Sequence, residues 1–133
     1  MIQSKELLDS LTTSGPLGTD LLARAVDVLS DCEEAVTACA VGMLAQQHGD
    51  MRAAIAHHMD CADVTAATRR LLTRGAPDRT LLTAQVEADL IACQVNHDLC
   101  AAHAAHHEHC RICSEATGQA LDVCREILAA VRA

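Results

Sequence analysis

The chain of 133 residues contains no Phe, Tyr or Trp, and it has only six Gly and two Pro. Strands favour aromatic and β-branched residues, so the lack of aromatics argues against a β-sheet fold. Half of the residues are apolar, mostly Ala, Leu, Val and Cys, and this composition favours helices. The length fits one domain. We therefore expect an all-α protein whose thin core is built from small side chains.

Positive charge is also scarce. The chain has ten Lys and Arg but 18 Asp and Glu, which gives a net charge of −8. This balance argues against a nucleic-acid partner. No stretch reaches the length of a membrane span without a charge. The first residues carry Glu6 and Asp9 and lack the apolar segment of a signal peptide. We expect a cytoplasmic protein, in which eight cysteines stay reduced and bind metal rather than form disulfides.

Gly and Pro punctuate the chain at 15–18, at 49 and at 75–77, and they divide it into helical segments. We predict a short helix near 4–12, then helices over 19–47, 51–74 and from 78 onward. The last segment is too long for one helix, so a break is expected at 103–108. Thr19 or Asp20, Asp50 and Asp78 are the predicted caps. The fold prediction is an antiparallel four-helix bundle over 19–133, preceded by a short helix and linker over 1–18.

Residues spaced by three, four or seven positions lie on one face of a helix. Three such series run through the predicted helices and contain most of the cysteines: Leu22, Leu29, Cys32, Val36, Cys39 and Met43; Val86, Cys93, His97, Cys100 and Ala104; Cys113, Thr117, Ala120, Cys124, Ile127 and Val131. The cysteines should therefore face the core of the bundle. Thiolates and imidazoles that converge there form a site for a soft metal ion.

The densest cluster of such ligands is HAAHHEHCRIC, which covers residues 103–113. Its CxxC pair, Cys110 and Cys113, is also compatible with a redox function, although no thioredoxin-like pattern surrounds it. A local zinc site is the other alternative, and its four ligands would be His106, His109, Cys110 and Cys113. Histidines in this stretch point in different directions around a helix, so some of them should face solvent.

The stretches at 61–77, CADVTAATRRLLTRGAP, and at 93–116, CQVNHDLCAAHAAHHEHCRICSEA, together with the CREIL that ends at Leu128, resemble the cytosolic copper storage proteins. The resemblance covers about 31 to the C-terminus. It implies a four-helix bundle whose interior thiolates hold Cu(I), with histidines near the open end and a homotetrameric assembly. The residues expected to bind Cu(I) are the eight cysteines, with four histidines as auxiliary or entry ligands: Cys32, Cys39, Cys61, Cys93, Cys100, Cys110, Cys113, Cys124, His57, His97, His103 and His106.

The chain departs from the family pattern, which repeats cysteine at steps of four and three along each helix. Other residues occupy such positions here: Val36, Met43, Thr65, Asp89, Asn96, Thr117 and Ala120. A smaller copper cluster than a continuous tube is expected. The alternatives are a copper- or iron-dependent redox enzyme on the same scaffold, which would use Asp89, Asn96 and His97, or an interaction module. We expect storage or buffering of Cu(I) rather than catalysis.

Overall fold

A computed structural model describes residues 1–11, 15–46 and 50–133 of the chain. Within these residues the chain forms five helices and no strand. The helices are α1 (Ser4–Asp9), α2 (Thr19–Leu44), α3 (Arg52–Thr73), α4 (Arg79–His103) and α5 (Glu108–Arg132). None of the described helices combines the length and the apolar character that a membrane crossing requires.

Helices α2 to α5 form a four-helix bundle in chain order. Helix α2 packs against α3 and α5, and α4 packs against the same two helices, while α1 packs on α2. The connections between the long helices are short, so successive helices run antiparallel. The predicted fold class, an antiparallel bundle with a short N-terminal helix, is therefore confirmed.

The ends of the helices follow the sequence signals with two differences. Asp78 caps α4, and its side chain accepts a hydrogen bond from the backbone N–H of Leu81 at 2.9 Å. The N-cap of α2 is Gly18, so the prediction of Thr19 or Asp20 was wrong: the Gly18 carbonyl already accepts the first helical bond, from Leu22 at 3.0 Å. The break between α4 and α5 is confirmed at 103–108.

The other difference concerns the end of α2 and the start of α3. Helix α2 ends at Leu44 rather than near 47. The N-cap of α3 is Met51, and Asp50 accepts a bond from the Arg52 backbone N–H at 3.0 Å. Thr12, which was predicted to end the first helix, and the predicted stop at Gly49 lie outside the described residues.

The turn between α3 and α4 has a Schellman geometry, in which Gly75 adopts a φ of 85°. The Gly75 N–H bonds to the Leu72 carbonyl at 2.9 Å, and the Ala76 N–H bonds to the Leu71 carbonyl at 3.1 Å. Gly15 of the N-terminal linker approaches this turn so closely that a Cβ on it would lie 2.6 Å from the Gly75 oxygen. Only glycine fits at that contact, which fixes the linker against the bundle.

The end of the bundle that carries this turn is closed by apolar side chains. Leu8 of α1 and Leu17 of the linker are both buried there. Helix α1 is attached to α2 through a hydrogen bond from Ser4 Oγ to Asp27 at 2.6 Å and an ion pair between Lys5 and Asp20 at 3.2 Å. We call this end of the bundle the closed end. The opposite end, where α2 and α4 finish and α3 and α5 begin, carries His103, His106, His107 and His109 and is called the His-rich end.

Candidate metal centre

All eight cysteines are buried in the interior of the bundle, as the periodicity predicted. Together with two histidines, seven of them form three groups in which the ligand atoms lie within 4.8 Å of one another. The inner group consists of Cys32, Cys61 and Cys93. The outer group consists of Cys39, His58, Cys100 and Cys113, and the His109 group of Cys39, His109 and Cys110.

The inner group lies deeper in the bundle and contains only sulfur ligands. The sulfur atoms of Cys61 and Cys93 are 3.8 Å apart. The hydroxyl of Thr65 lies 3.9 Å from the Cys61 sulfur and 3.7 Å from the Cys93 sulfur. Because α2, α3 and α4 each supply one thiol, an ion at this point would join three of the four helices.

The outer group lies nearer the His-rich end and receives one ligand from each helix of the bundle. The sulfur atoms of Cys39 and Cys100 are 3.9 Å apart, and His58 Nε2 lies 3.3 Å from the Cys100 sulfur. The other ring nitrogen of His58, Nδ1, donates to the Ala54 carbonyl at 2.8 Å. This bond orients the ring and directs Nε2 at the thiols.

His109 is held on several sides above the outer group. Its Nδ1 lies 3.2 Å from the Cys39 sulfur, and Gln46 Nε2 donates to its Nε2 at 2.7 Å. The ring of His107 stacks on it with centroids 5.5 Å apart. On the α2 side, Gly42 leaves the space that the ring occupies, since a Cβ there would lie 2.9 to 3.0 Å from the ring atoms. The imidazole is thereby fixed against Cys39 before any metal binds.

The eighth thiol, Cys124, lies beside a buried carboxyl group. Asp89 accepts a hydrogen bond from Thr65 Oγ1 at 2.7 Å and from the Cys93 thiol at 3.4 Å, and Cys124 lies 3.9 Å from its other oxygen. Burial, followed by the charge of the nearby Cys93, raises the pKa of Asp89 to about 8. Asp89 is thus a neutral, proton-carrying member of the stripe at neutral pH, and it does not lie at a solvated edge.

The thiols within a group differ in acidity because they share hydrogen bonds. Hydrogen bonds from Cys32 and then Cys93 lower the pKa of Cys61, whereas the pKa of Cys32 is raised. In the outer group, hydrogen bonds from Cys113 and then Cys39 lower the pKa of Cys100, and the pKa of Cys113 is raised. In the inner and outer groups, neighbouring S–H donors therefore favour the thiolate form of Cys61 and of Cys100, and that thiolate would be the first soft ligand for a cation.

The predicted histidines take different places. His57 is exposed, whereas its neighbour His58 is fully buried. The buried series on α3 runs through His58, Cys61, Thr65, Thr68 and Leu72, at alternating steps of three and four. The sequence analysis chose His57, four positions before Cys61, but only His58 continues this buried series. The spacing was therefore a usable signal, and it pointed to His58.

The remaining histidines lie outside the ligand groups. His97 is half-buried between α4 and α5, where its Nδ1 lies 2.9 Å from the Ser114 carbonyl and 3.1 Å from the Thr117 hydroxyl. His103 and His106 are exposed at the His-rich end. The zinc alternative is not assembled in the structure: Cys110 groups with His109 and Cys113 with the outer group, and His106 belongs to no group found among the described residues.

We predict that Gly42→Ala displaces the His109 ring, because the added methyl group would overlap it. The helix itself should tolerate the change, since Ala favours helix over Gly by about 1 kcal/mol. Histidine side-chain NMR spectra of the reduced protein should show altered His109 ring signals. The matched control is Gly118→Ala, where the new Cβ would lie an ordinary 3.4 Å from His97. Unchanged His109 signals in Gly42→Ala would refute the prediction.

A second prediction concerns Asp89. Its pKa is raised from 3.8 to about 8 on folding, so the folded state retains a proton that the unfolded state has lost. Stability contributed by the protonated form is therefore complete below pH 3.8 and falls as pH rises to about 8. Asp89→Asn keeps the shape without the charge. Its free energy of unfolding should exceed that of the parent by a growing margin across this range, reaching a few kcal/mol.

The measurement is denaturant unfolding of metal-free, reduced protein at a series of pH values. Asp98→Asn, an exposed position on the same helix, serves as the control and should track the parent. Parallel pH profiles for Asp89→Asn and the parent would show that the buried carboxyl does not carry the proton assigned to it.

Comparison with known proteins gives consistent matches. The copper storage protein family model matches residues 19–129. The copper storage protein Ccsp from Streptomyces lividans, loaded with 10 copper equivalents, is 35% identical over 95% of this chain and 98% of that chain, with a TM-score of 0.88. A structure of copper loading to a cytosolic copper storage protein from Streptomyces lividans, with five coppers, is 38% identical over 83% of this chain and 93% of that chain, with a TM-score of 0.78.

No curated protein matches the chain in sequence. The family model nevertheless spans most of the chain, and the solved structures agree with it in fold and in extent. The chain belongs to the copper storage protein family.

Proposed function

We propose that this protein binds and stores Cu(I) through the thiolates in the interior of its bundle. The observation that carries the proposal is the grouping of buried thiols, with sulfur separations of 3.8 Å in the inner group and 3.9 Å in the outer group. Cu(I) is a soft ion that favours thiolate ligands. The family match and the copper-loaded relatives support the same assignment.

The eight cysteines are the proposed primary ligands. Those of the inner group, the outer group and the His109 group can each bridge ions within their own group, and Cys124 adds a thiol beside Asp89. Exposed His103 and His106 are proposed as entry ligands, because they lie at the end of the bundle nearest the outer group. His57 and His97 are weaker proposals, since one is exposed and the other bonds to α5.

The stripe does not offer a continuous column of sulfur. The positions that separate or flank the groups are filled by buried residues that are poor Cu(I) ligands: Val36, Thr65, Asn96, Thr117 and Ala120. We therefore propose two separate clusters rather than one tube. Since a thiolate can bridge two ions and each Cu(I) needs roughly two soft donors, eight cysteines support about four to eight ions per chain.

The cytosol is the proposed location, because one relative is described as cytosolic and reduced thiols persist there.

We also propose a homo-oligomer, with the tetramer as the expected form. Apolar side chains on the outer face of α2 and α3 support self-association: Val41, Leu44 and Met59 are 65%, 70% and 59% exposed. Light scattering should give a mass about four times that of the chain, and a monomer at all concentrations would contradict the oligomer.

The test of storage is the double change of Cys93 and Cys100 to Ser. Serine keeps the shape but offers a harder, poorly ionised oxygen. The double change removes one thiol from the inner group and one from the outer group. We predict that Cu(I) capacity, titrated anaerobically against a competing chelator, falls by more than one ion per chain. Helical content measured by circular dichroism should persist.

Val86→Thr is the matched control, because it also places a hydroxyl at a fully buried position of α4. Its copper capacity should equal that of the parent. If the double variant retains full capacity at saturating copper, the inward thiols are packing residues and the storage proposal fails. If an activity toward a substrate disappears while capacity barely changes, the copper- or iron-dependent redox enzyme replaces storage as the better account.

A further inference from the structure

The outer group differs from the inner group in number and type of ligands. Each helix of the bundle contributes one side chain to it: Cys39 from α2, His58 from α3, Cys100 from α4 and Cys113 from α5. All four side chains are fully buried. The inner group offers three sulfur atoms and no nitrogen. Three thiolates suit Cu(I), whereas three thiolates and an imidazole form a set that tetrahedral divalent ions use.

Two separations in the outer group are close to those of a tetrahedral zinc site, and all four ligand atoms lie within 4.8 Å of one another. Bond lengths of ~2.3 Å to sulfur and ~2.0 Å to nitrogen in a tetrahedral zinc site place two sulfurs ~3.8 Å apart and a sulfur and a nitrogen ~3.5 Å apart. In the outer group, Cys39 and Cys100 have their sulfurs 3.9 Å apart, and His58 Nε2 lies 3.3 Å from the Cys100 sulfur.

His58 is also prepared for this role by its surroundings. Its Nδ1–H donates to the Ala54 carbonyl at 2.8 Å, so the ring is oriented with Nε2 toward the thiols. This arrangement, with the second ring nitrogen donating to a carbonyl, is the usual support of a metal-binding histidine. Asn96 Nδ2 lies 3.6 Å from the Cys113 sulfur as a donor, which provides a similar support for a thiolate.

We propose that, in protein that carries no copper, the outer group binds one divalent ion of the zinc class through the same thiols that the proposed function assigns to Cu(I). Charge favours this assignment. Three thiolates and a neutral imidazole carry a net charge of −3. A bound dication reduces the net charge of the site to −1, whereas a single monocation reduces it only to −2. Buried net charge is costly, so binding one dication at this site is more favourable than binding one monocation.

Binding also has a defined proton balance. The ion enters as the thiols of Cys39, Cys100 and Cys113 lose their protons, and His58 binds it through Nε2 while Nδ1 stays bonded to the Ala54 carbonyl. Each bound ion therefore releases up to three protons, fewer by those that the thiols have already lost. The released protons provide a readout that does not depend on colour or on copper.

The experiment uses the reduced, metal-free full chain under anaerobic conditions, with Co(II) as the probe and Zn(II) as the competitor. We expect one Co(II) per chain, with the visible absorption of a tetrahedral site that contains thiolates, loss of that absorption when Zn(II) is added, and release of protons on binding. His58→Leu fills the buried position with an apolar side chain that cannot bind a metal ion, and it should weaken Co(II) binding by at least ~10-fold, the scale on which even supporting residues act.

Cys32→Ser is the matched control, because it removes a thiol of the inner group and leaves the outer ligand set complete. It should bind Co(II) as the parent does. Circular dichroism of each variant identifies any that fails to fold, and Cys113→Ser then provides a second test of the outer group. Absence of the tetrahedral spectrum in the parent, or equal loss in Cys32→Ser and His58→Leu, would overturn the proposal.

Cu(I) titration of the parent keeps this inference separate from the storage proposal. Full Cu(I) capacity without tetrahedral Co(II) binding would refute the divalent site alone. Tetrahedral Co(II) binding at the outer group without high Cu(I) capacity would refute storage alone.

Discussion

The stability and the metal capacity of this bundle both depend on the limited number of side chains that four helices can direct inward. An inward position is filled either by a ligand or by a side chain that packs, because the interior is thin and contains no aromatic residue. Near the closed end the stripe is filled by side chains such as Leu22, Leu72, Leu82 and Ile127. Nearer the His-rich end it is filled mainly by thiols and imidazoles. Stability and metal capacity are therefore located in different parts of the same helices.

Two buried polar side chains, Asp89 and Asn96, form hydrogen bonds with the thiols. Asp89 contacts Thr65, Cys93 and Cys124, and it stays protonated because its charge would be buried. Asn96 donates to Cys113, while its own carbonyl oxygen has no hydrogen-bond partner among the described residues. Such groups weaken the metal-free core. They also place proton acceptors and donors beside the thiols, which must lose protons when a metal binds.

Sequence periodicity predicted the bundle and the inward direction of the cysteines, because a helix relates positions three and four apart in a fixed way. It could not rank neighbours such as His57 and His58 without the whole α3 series, since both lie within one turn of Cys61. The grouping of ligands was also beyond it. Cys39 meets His58, Cys100 and Cys113 only through the relative register of four helices, and short connections do not determine that register.

The contact between Gly15 and the turn at Gly75 has a consequence for the order of events inside the bundle. Together with buried Leu8 and Leu17, it covers the closed end, which leaves the His-rich end as the proposed route for Cu(I). An ion in the inner group must pass the outer group on its way in and again on its way out. On this route, an ion bound by the inner group is released only after the outer group has released its ions. The residence time of the inner ion then depends on the occupancy of the outer group.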